Sequence, residues 1–354
     1  MNAGAPRDER ARAILARAPA LASLDDVREL LQFALEVERF TLPPYLTALY
    51  SIRDGTNLEA VSLLRSVVVE EMLHMALVCN LLNSIAGAPR VNAPEALQYP
   101  ATLPFSADKF VVNIGPFSRA AVETFCQIEQ PAGPDAQPEG PYAYNELSQF
   151  YRYVANALTA LEQSTPGGIF TGDPTRQVGP DDYYSAGGLL FPVCDLASAR
   201  AAIDSIIVQG ESTPGSVSGG DETFGEPFEL AHFYRFDSIR RGRRYQHGDA
   251  PGAPSGRPIE IDWAAVANVP LNLTVDSLSA FPAIQESAIA FNEAWRTMLS
   301  HLNEAFNGVP SALRTVIPDM FALKYQAQAL MRIPLPGTTN VAGPVWELPP
   351  TTKL

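Results

Sequence analysis

The stretch Leu58–Ile85 narrows what this chain can fold into more than any other. Val61, Leu64, Val67, Val68, Met75, Val78, Leu81, Leu82 and Ile85 recur at steps of three and four residues. That spacing lays them on one face of an α-helix. Glu71 and His74 fall on the same face. A carboxylate carried into a core needs a counter-charge, a hydrogen-bond network or a metal ion. Glu-x-x-His sets a carboxylate oxygen and an imidazole nitrogen one turn apart on one side of the helix. Helix bundles use that spacing for metal ligands.

Other helical segments carry acids on their apolar faces. From Asp26 to Tyr50 the face is Val27, Leu30, Leu31, Ala34, Leu35 and Leu42, with Glu38 among them and Glu36 turned elsewhere. Pro43-Pro44 then leaves two alternatives. Either the helix kinks, or it ends and a second begins with proline in its first turn. Ser23 or Asp25 is placed to cap this helix and Asn57 to cap the next. A third helix is predicted over Tyr142–Gln163, where Glu146 sits one turn before Phe150. A fourth runs from Leu196 to Gln209 and is followed by Glu211. It is split by a Ser/Gly-rich insertion, and the helical pattern resumes near Phe228 with Glu229 and His232.

Between these segments, residues 88–120 read as proline-punctuated loop with one extended stretch, Lys109–Ile114. Ser118–Glu129 reads as a short helix or turn. Two more helices follow, Ile284–Phe306 and Ser311–Met331. The first has Ile289, Trp295, Met298, Leu299 and Leu302 as core candidates. The tail 333–354 is rich in proline and is expected to lie over the surface. These patterns predict a mainly α chain in three parts: a lead, 1–24; a four-helix bundle, 25–245; and a C-terminal extension packed on it, 246–354.

Glu38, Glu71 with His74, Glu146, and Glu211 or Glu229 with His232 thus follow one another on successive helices. A dinuclear carboxylate site in a ferritin-like bundle has this order. Carboxylate oxygens with two imidazoles suit iron or manganese, and zinc as well. The motifs Leu31–Tyr50 (LQFALEVERFTLPPYLTALY), Val69–Asn83 (VEEMLHMALVCNLLN), Gln209–Glu211 and His232–Phe236 resemble the ferritin-like domain of the iminophenyl-pyruvate dimer synthases, of violacein and rebeccamycin type. The same domain occurs in standalone bacterial proteins, and the resemblance covers about residues 25–240. It implies a ferritin-like four-helix bundle, here with long proline-rich loops and additional C-terminal helices. It also implies two iron ions, with manganese or zinc as substitutes, held by Glu38, Glu71, His74, Glu146, Glu211 and His232, with Glu229 as the alternative to Glu211. The synthases are much larger than this chain, so their dimerising oxidation does not transfer on this domain alone.

The expected activity is that of a dinuclear-metal redox enzyme, an oxidase or oxygenase acting on a small amino-acid-derived or aromatic metabolite. Metal storage and a non-catalytic structural bundle are the alternatives. Against storage, the loops are long enough to hinder packing into a shell. Against a purely structural bundle, several buried like charges without a cation are costly. The formal charge of −14 disfavours nucleic acid and anionic membranes as partners. No stretch is apolar for long enough to span a bilayer, and the first twenty residues show no run of signal-peptide type. Cys79, Cys126 and Cys194 are widely spaced, which fits a reducing cytoplasm. A small-molecule substrate is the expected partner, and an apolar bundle also admits a homodimer. Tyr45 and Tyr50 are either donors to the carboxylates or packing residues, and Glu70 is a salt-bridging acid beside the ligand set. Arg235 either neutralises the ligand acids or is solvated, and the basic run Arg240–Arg244 reads as a solvated face.

Overall fold

The computed structural model describes residues 7–93, 99–102, 110–131, 147–183, 190–220 and 228–347. The described elements are helical apart from one short strand pair. In chain order the helices are α1 (Arg7–Leu15), α2 (Leu24–Ser51), α3 (Leu58–Ser84), α4 (Arg119–Ile128), α5 (Leu147–Ser164), α6 (Leu196–Glu211), α7 (His232–Arg241), α8 (Pro282–Ala305) and α9 (Leu313–Leu330). Among the described residues, no helix is long and apolar enough to cross a membrane.

α2 opens on a reciprocal cap. Ser23 Oγ accepts from the Asp26 amide at 3.1 Å, and Asp26 Oδ2 accepts from the Ser23 amide at 2.8 Å. Pro43 and Pro44 do not end the helix, which continues to Ser51. A proline leaves the carbonyl four residues back without its amide donor. For Pro44 that carbonyl belongs to Phe40, and the Tyr99 hydroxyl donates to it while the two rings stack 4.6 Å apart. The continuous helix thus keeps a buried acceptor satisfied from outside its own ladder.

A short turn folds α3 back along α2. Asn57 is in the left-handed region, φ 48°, and does not cap α3 with its side chain, contrary to the sequence expectation. Its amide group instead pairs with the backbone of Asp262, at 3.0 and 2.7 Å, and so fastens this turn to a distant loop. α5 and α6 pack on each other and on the α2–α3 pair to complete the bundle. α4 and α7 pack together through Phe125 and Phe236, whose rings also meet Tyr45 of α2, all centroids 4.7–5.2 Å apart. This aromatic cluster places the end of α4 and the start of α7 beside the middle of α2 and α3.

The split of the fourth helix is real. Ser212, φ 72°, ends α6, and α7 begins at His232. In the intervening loop the backbone pairs Gly219 with Glu229 and Ala231 with Val217, at 2.8 and 3.1 Å. The extended stretch near 109–114 contributes Val111–Val112, paired antiparallel with Ala101–Thr102. α8 and α9 form a further pair. Two expectations there need correcting. Ile289 is 45% exposed, because it lies one residue off the stripe made by Ile284, Ala288, Phe291, Trp295, Met298 and Leu302. Among the described residues, part of the tail turns inward rather than lying over the surface: Ala342, Val345 and Trp346 are buried. The Trp346 ring sits edge-on to Phe291 and Trp295, and its Nε1 donates to Thr47 Oγ1 of α2 at 2.8 Å.

Tyr99→Phe keeps the stacked ring and removes the donor to the Phe40 carbonyl. It is expected to lower stability by about 1–2 kcal/mol in urea unfolding, the cost of stranding a buried acceptor.

Candidate metal centre

The stripe on α3 delivers Glu71 and His74 into the interior, and α2 delivers Glu38 beside them. His232, the first residue of α7, arrives from the opposite side. Glu71 stands between the two imidazoles. Its Oε1 lies 3.0 Å from His232 Nδ1, and its Oε2 lies 3.9 Å from His74 Nδ1. Each imidazole has a second carboxylate on its outer side: Glu38 Oε2 is 3.5 Å from His74 Nδ1, and Glu129 Oε2 is 3.6 Å from His232 Nδ1. The rings themselves are 5.3 Å apart and nearly parallel. One ligand atom from each of Glu71, His74 and His232 lies within 4.8 Å of the others.

Both imidazoles are turned the same way. His74 Nε2 donates to Gln209 Oε1 at 2.8 Å, and His232 Nε2 donates to Glu70 Oε2 at 2.7 Å. In the neutral ring, a proton held on Nε2 leaves the Nδ1 lone pair facing the acids. The outer carboxylates are also held. Tyr151 Oη donates to Glu38 Oε1 and Tyr45 Oη to Glu129 Oε1, each at 2.5 Å. Burial, then the neighbouring carboxylates, push both phenols well above their ordinary value, so they stay donors. Glu70 continues outward to Arg235, 2.8 Å from its other oxygen.

Glu129 is the residue that the sequence reading missed. It caps the C-terminal end of α4, in a segment read only as short helix or turn. A signal was present: Val122, Phe125 and Cys126 are buried, and the same helical phase carries on to Glu129. Of the residues expected at the centre, Glu38, Glu71, His74 and His232 come together. Glu211 lines the same small cavity but accepts from the Ser148 amide at 2.8 Å, at the start of α5. Glu229 is turned away, 3.7 Å from Arg235. Glu146 lies outside the described residues. Tyr45 is a donor to a carboxylate, whereas Tyr50 makes no such contact among the described residues.

The electrostatics follow from so many acids sharing one buried space. Burial raises the Glu71 carboxyl, and the Glu129 charge adds to it, to about 8. Burial acts to lower both imidazoles, but the acids around them outweigh it, and His232 is held well above its usual value. Glu38 is held below the usual carboxylate range, because His74, Glu71 and Tyr151 overcome the effect of burial. Protons on Glu71 and the two imidazoles thus offset part of the acids' charge. Buried His232 Nδ1 makes no hydrogen bond, although carboxylate oxygens flank it. An orphaned imidazole nitrogen aimed at two acids, Glu71 and Glu129, fits a metal ion, and the oxygen-rich donor set fits iron or manganese. The enclosed cavity of about 20 Å³ has water-sized room and no more.

Without metal, stability is expected to fall as pH rises from 4.5, the ordinary carboxyl value, towards 8. The folded state binds the Glu71 proton more tightly than the unfolded chain does, so that advantage fades once the folded group also ionises. The raised imidazoles act in the same sense. Glu71→Gln, which mimics the protonated acid, should flatten the dependence, as read from urea unfolding midpoints of metal-stripped protein across pH.

No curated protein sequence matches the chain. Among solved structures, it is similar to a ferritin-like protein from Caulobacter vibrioides, with a TM-score of 0.61 and 22% identity over 92% of this chain and 99% of that one. At that identity the likeness is one of fold, and its extent reaches well into the residues beyond α7. A ferritin-like family model matches residues 31–241, a span that holds every side chain of the centre. The chain belongs to the ferritin-like family.

Proposed function

We propose that the protein is a dinuclear-metal redox enzyme, an oxidase or oxygenase of a small organic metabolite. One observation carries this reading: Glu71 presents one oxygen to each of two imidazoles, and each imidazole has its own outer carboxylate. That is two half-sites with a shared acid. Glu38, Glu71 and His74 would hold one ion; Glu71, Glu129 and His232 would hold the other, with Glu211 beside them. When bound, two iron or manganese ions would supply the oxygen-activating electron chemistry that side chains lack.

The chain's own groups have definable tasks. Gln209 and Glu70 fix the two imidazole tautomers. Tyr45 and Tyr151 hold the outer carboxylates in place and keep a proton beside each. Val37, Ile128, Leu147, Ile206 and Ile207 line the inner cavity and keep water out. That cavity is too small for an organic substrate. A cleft of about 280 Å³ lies outside it, shares Glu211 with it, and is walled by Phe233 and Tyr234 next to His232. A substrate would reach the centre from this side. The resemblance to the synthase domain points to amino-acid-derived or aromatic compounds.

Metal analysis of purified protein should find about two ions per chain, lost in Glu71→Ala. Glu129→Ala should weaken metal binding roughly 10- to 100-fold or more, as loss of a ligand does, while Glu229→Gln should leave it unchanged. Oxygen uptake with reductant and a candidate substrate tests turnover. Iron loading far beyond two ions per chain would indicate storage instead. Failure to retain or regain any metal would leave a structural bundle.

A further inference from the structure

A second cleft, of about 250 Å³, lies against the outer side of α3 and shares no lining residue with the metal cavity. Its walls are Ser62, Arg65, Ser66 and Val69 from α3, Glu229 and Leu230 from the loop before α7, Arg235 from α7, and Arg244 beyond it. Three arginines from three separate parts of the chain therefore line one space in which Glu229 is the single acid, while Glu70 and Glu59 hold Arg235 and Arg244 from outside the lining. That runs counter to a chain with 39 acids and 25 basic residues.

The arginines differ in how they are held. Arg235 is buried, with its Nε on the Leu230 carbonyl at 2.6 Å and one terminal nitrogen on Glu70 at 2.8 Å. Arg244 is anchored to Glu59 at 2.6 Å. Arg65 is exposed and has no acidic partner among the described residues. Two fixed cations and one free to close over an occupant suit an anion, and the planar fork of a guanidinium matches two oxygens of a phosphate or carboxylate. Ser62, one turn before Arg65 on the same helical face, adds a hydroxyl, while the Ser66 hydroxyl donates to the Leu63 carbonyl at 2.9 Å.

We propose that this cleft binds a small organic oxyanion, a phosphate monoester or a dicarboxylate, through Arg65, Arg235 and Arg244. The volume falls just under the range of roughly 300 to 1,000 Å³ usual for small-molecule sites, which leaves room for a compact organic body behind the anionic group. The site has one built-in connection. Arg235 holds Glu70, and Glu70 holds the Nε2 proton of His232. An anion drawn to Arg235 thus acts on the group that orients one imidazole of the metal centre. By linkage, occupancy of either site should shift affinity at the other.

Calorimetric titration of the full chain with inorganic phosphate and with succinate, at constant ionic strength, tests the proposal. At least one probe should give saturable binding. Phosphate alone would identify a phosphoryl ligand; succinate alone, a dicarboxylate; both outcomes support the site. Arg65→Gln lies on an exposed position and should fold normally, yet weaken binding about tenfold or more, as loss of a charge-assisted contact does. Arg296→Gln, on the exposed face of α8 and away from both clefts, should leave it unchanged. Absence of saturable binding by either probe, or equal binding by the Arg65→Gln protein, would overturn the proposal.

Discussion

Three carboxylates and two imidazoles meeting in a space that water barely enters form the constraint on which the rest of this structure depends. Like charges at such distances repel strongly where the dielectric is low. The chain lets some of the repulsion be met by protons, with Glu71 raised to about 8, and the remainder sets a demand for positive charge at the centre. Every neighbouring group is arranged so that this demand is met inside rather than by opening to solvent. Phenols hold the outer acids, an amide and a carboxylate hold the imidazoles, and aliphatic side chains close the cavity.

The fold serves that arrangement through two different devices. α2 and α3 are long, regular and nearly wholly buried, so Glu38, Glu71 and His74 are placed by helical phase alone. α4 and α7 are each ten residues, too short to be rigid by themselves. Glu129 and His232 sit at a helix end and a helix start, and the packing of Phe125, Phe236 and Tyr45 locks both in position. The basic run at the end of α7 belongs to the same set of fixed positions: Arg240 and Arg241 stay exposed, as a solvated face does, yet both clamp Asp237, and Arg244 clamps Glu59.

This difference explains what could be read from the sequence. Glu38, Glu71 and His74 lie within long stripes whose period is unmistakable, so their convergence was legible. His232 was legible as the resumption of an interrupted helix. Glu129 left only the phase of one short helix as a signal, and its meeting with the other acids depends on a tertiary contact between α4 and α7. Tyr151 as a partner of Glu38, and Gln209 as a partner of His74, were hidden for a similar reason. Pairing between elements 113 and 135 residues apart leaves no local pattern. Composition suggested an outer position for the tail, since proline marks irregular backbone. It says nothing of a single tryptophan that makes irregular backbone worth burying.

That tryptophan has a consequence for how the molecule is put together. Thr47 Oγ1 receives the Trp346 indole proton and passes its own to the Pro43 carbonyl, within the proline pair of the helix that carries Glu38. The last described turns of the chain are therefore stitched to the one place where α2 has given up part of its internal ladder. A version of this protein trimmed back to the bundle would be a molecule with an open seam along its central helix, not a smaller copy of the same one.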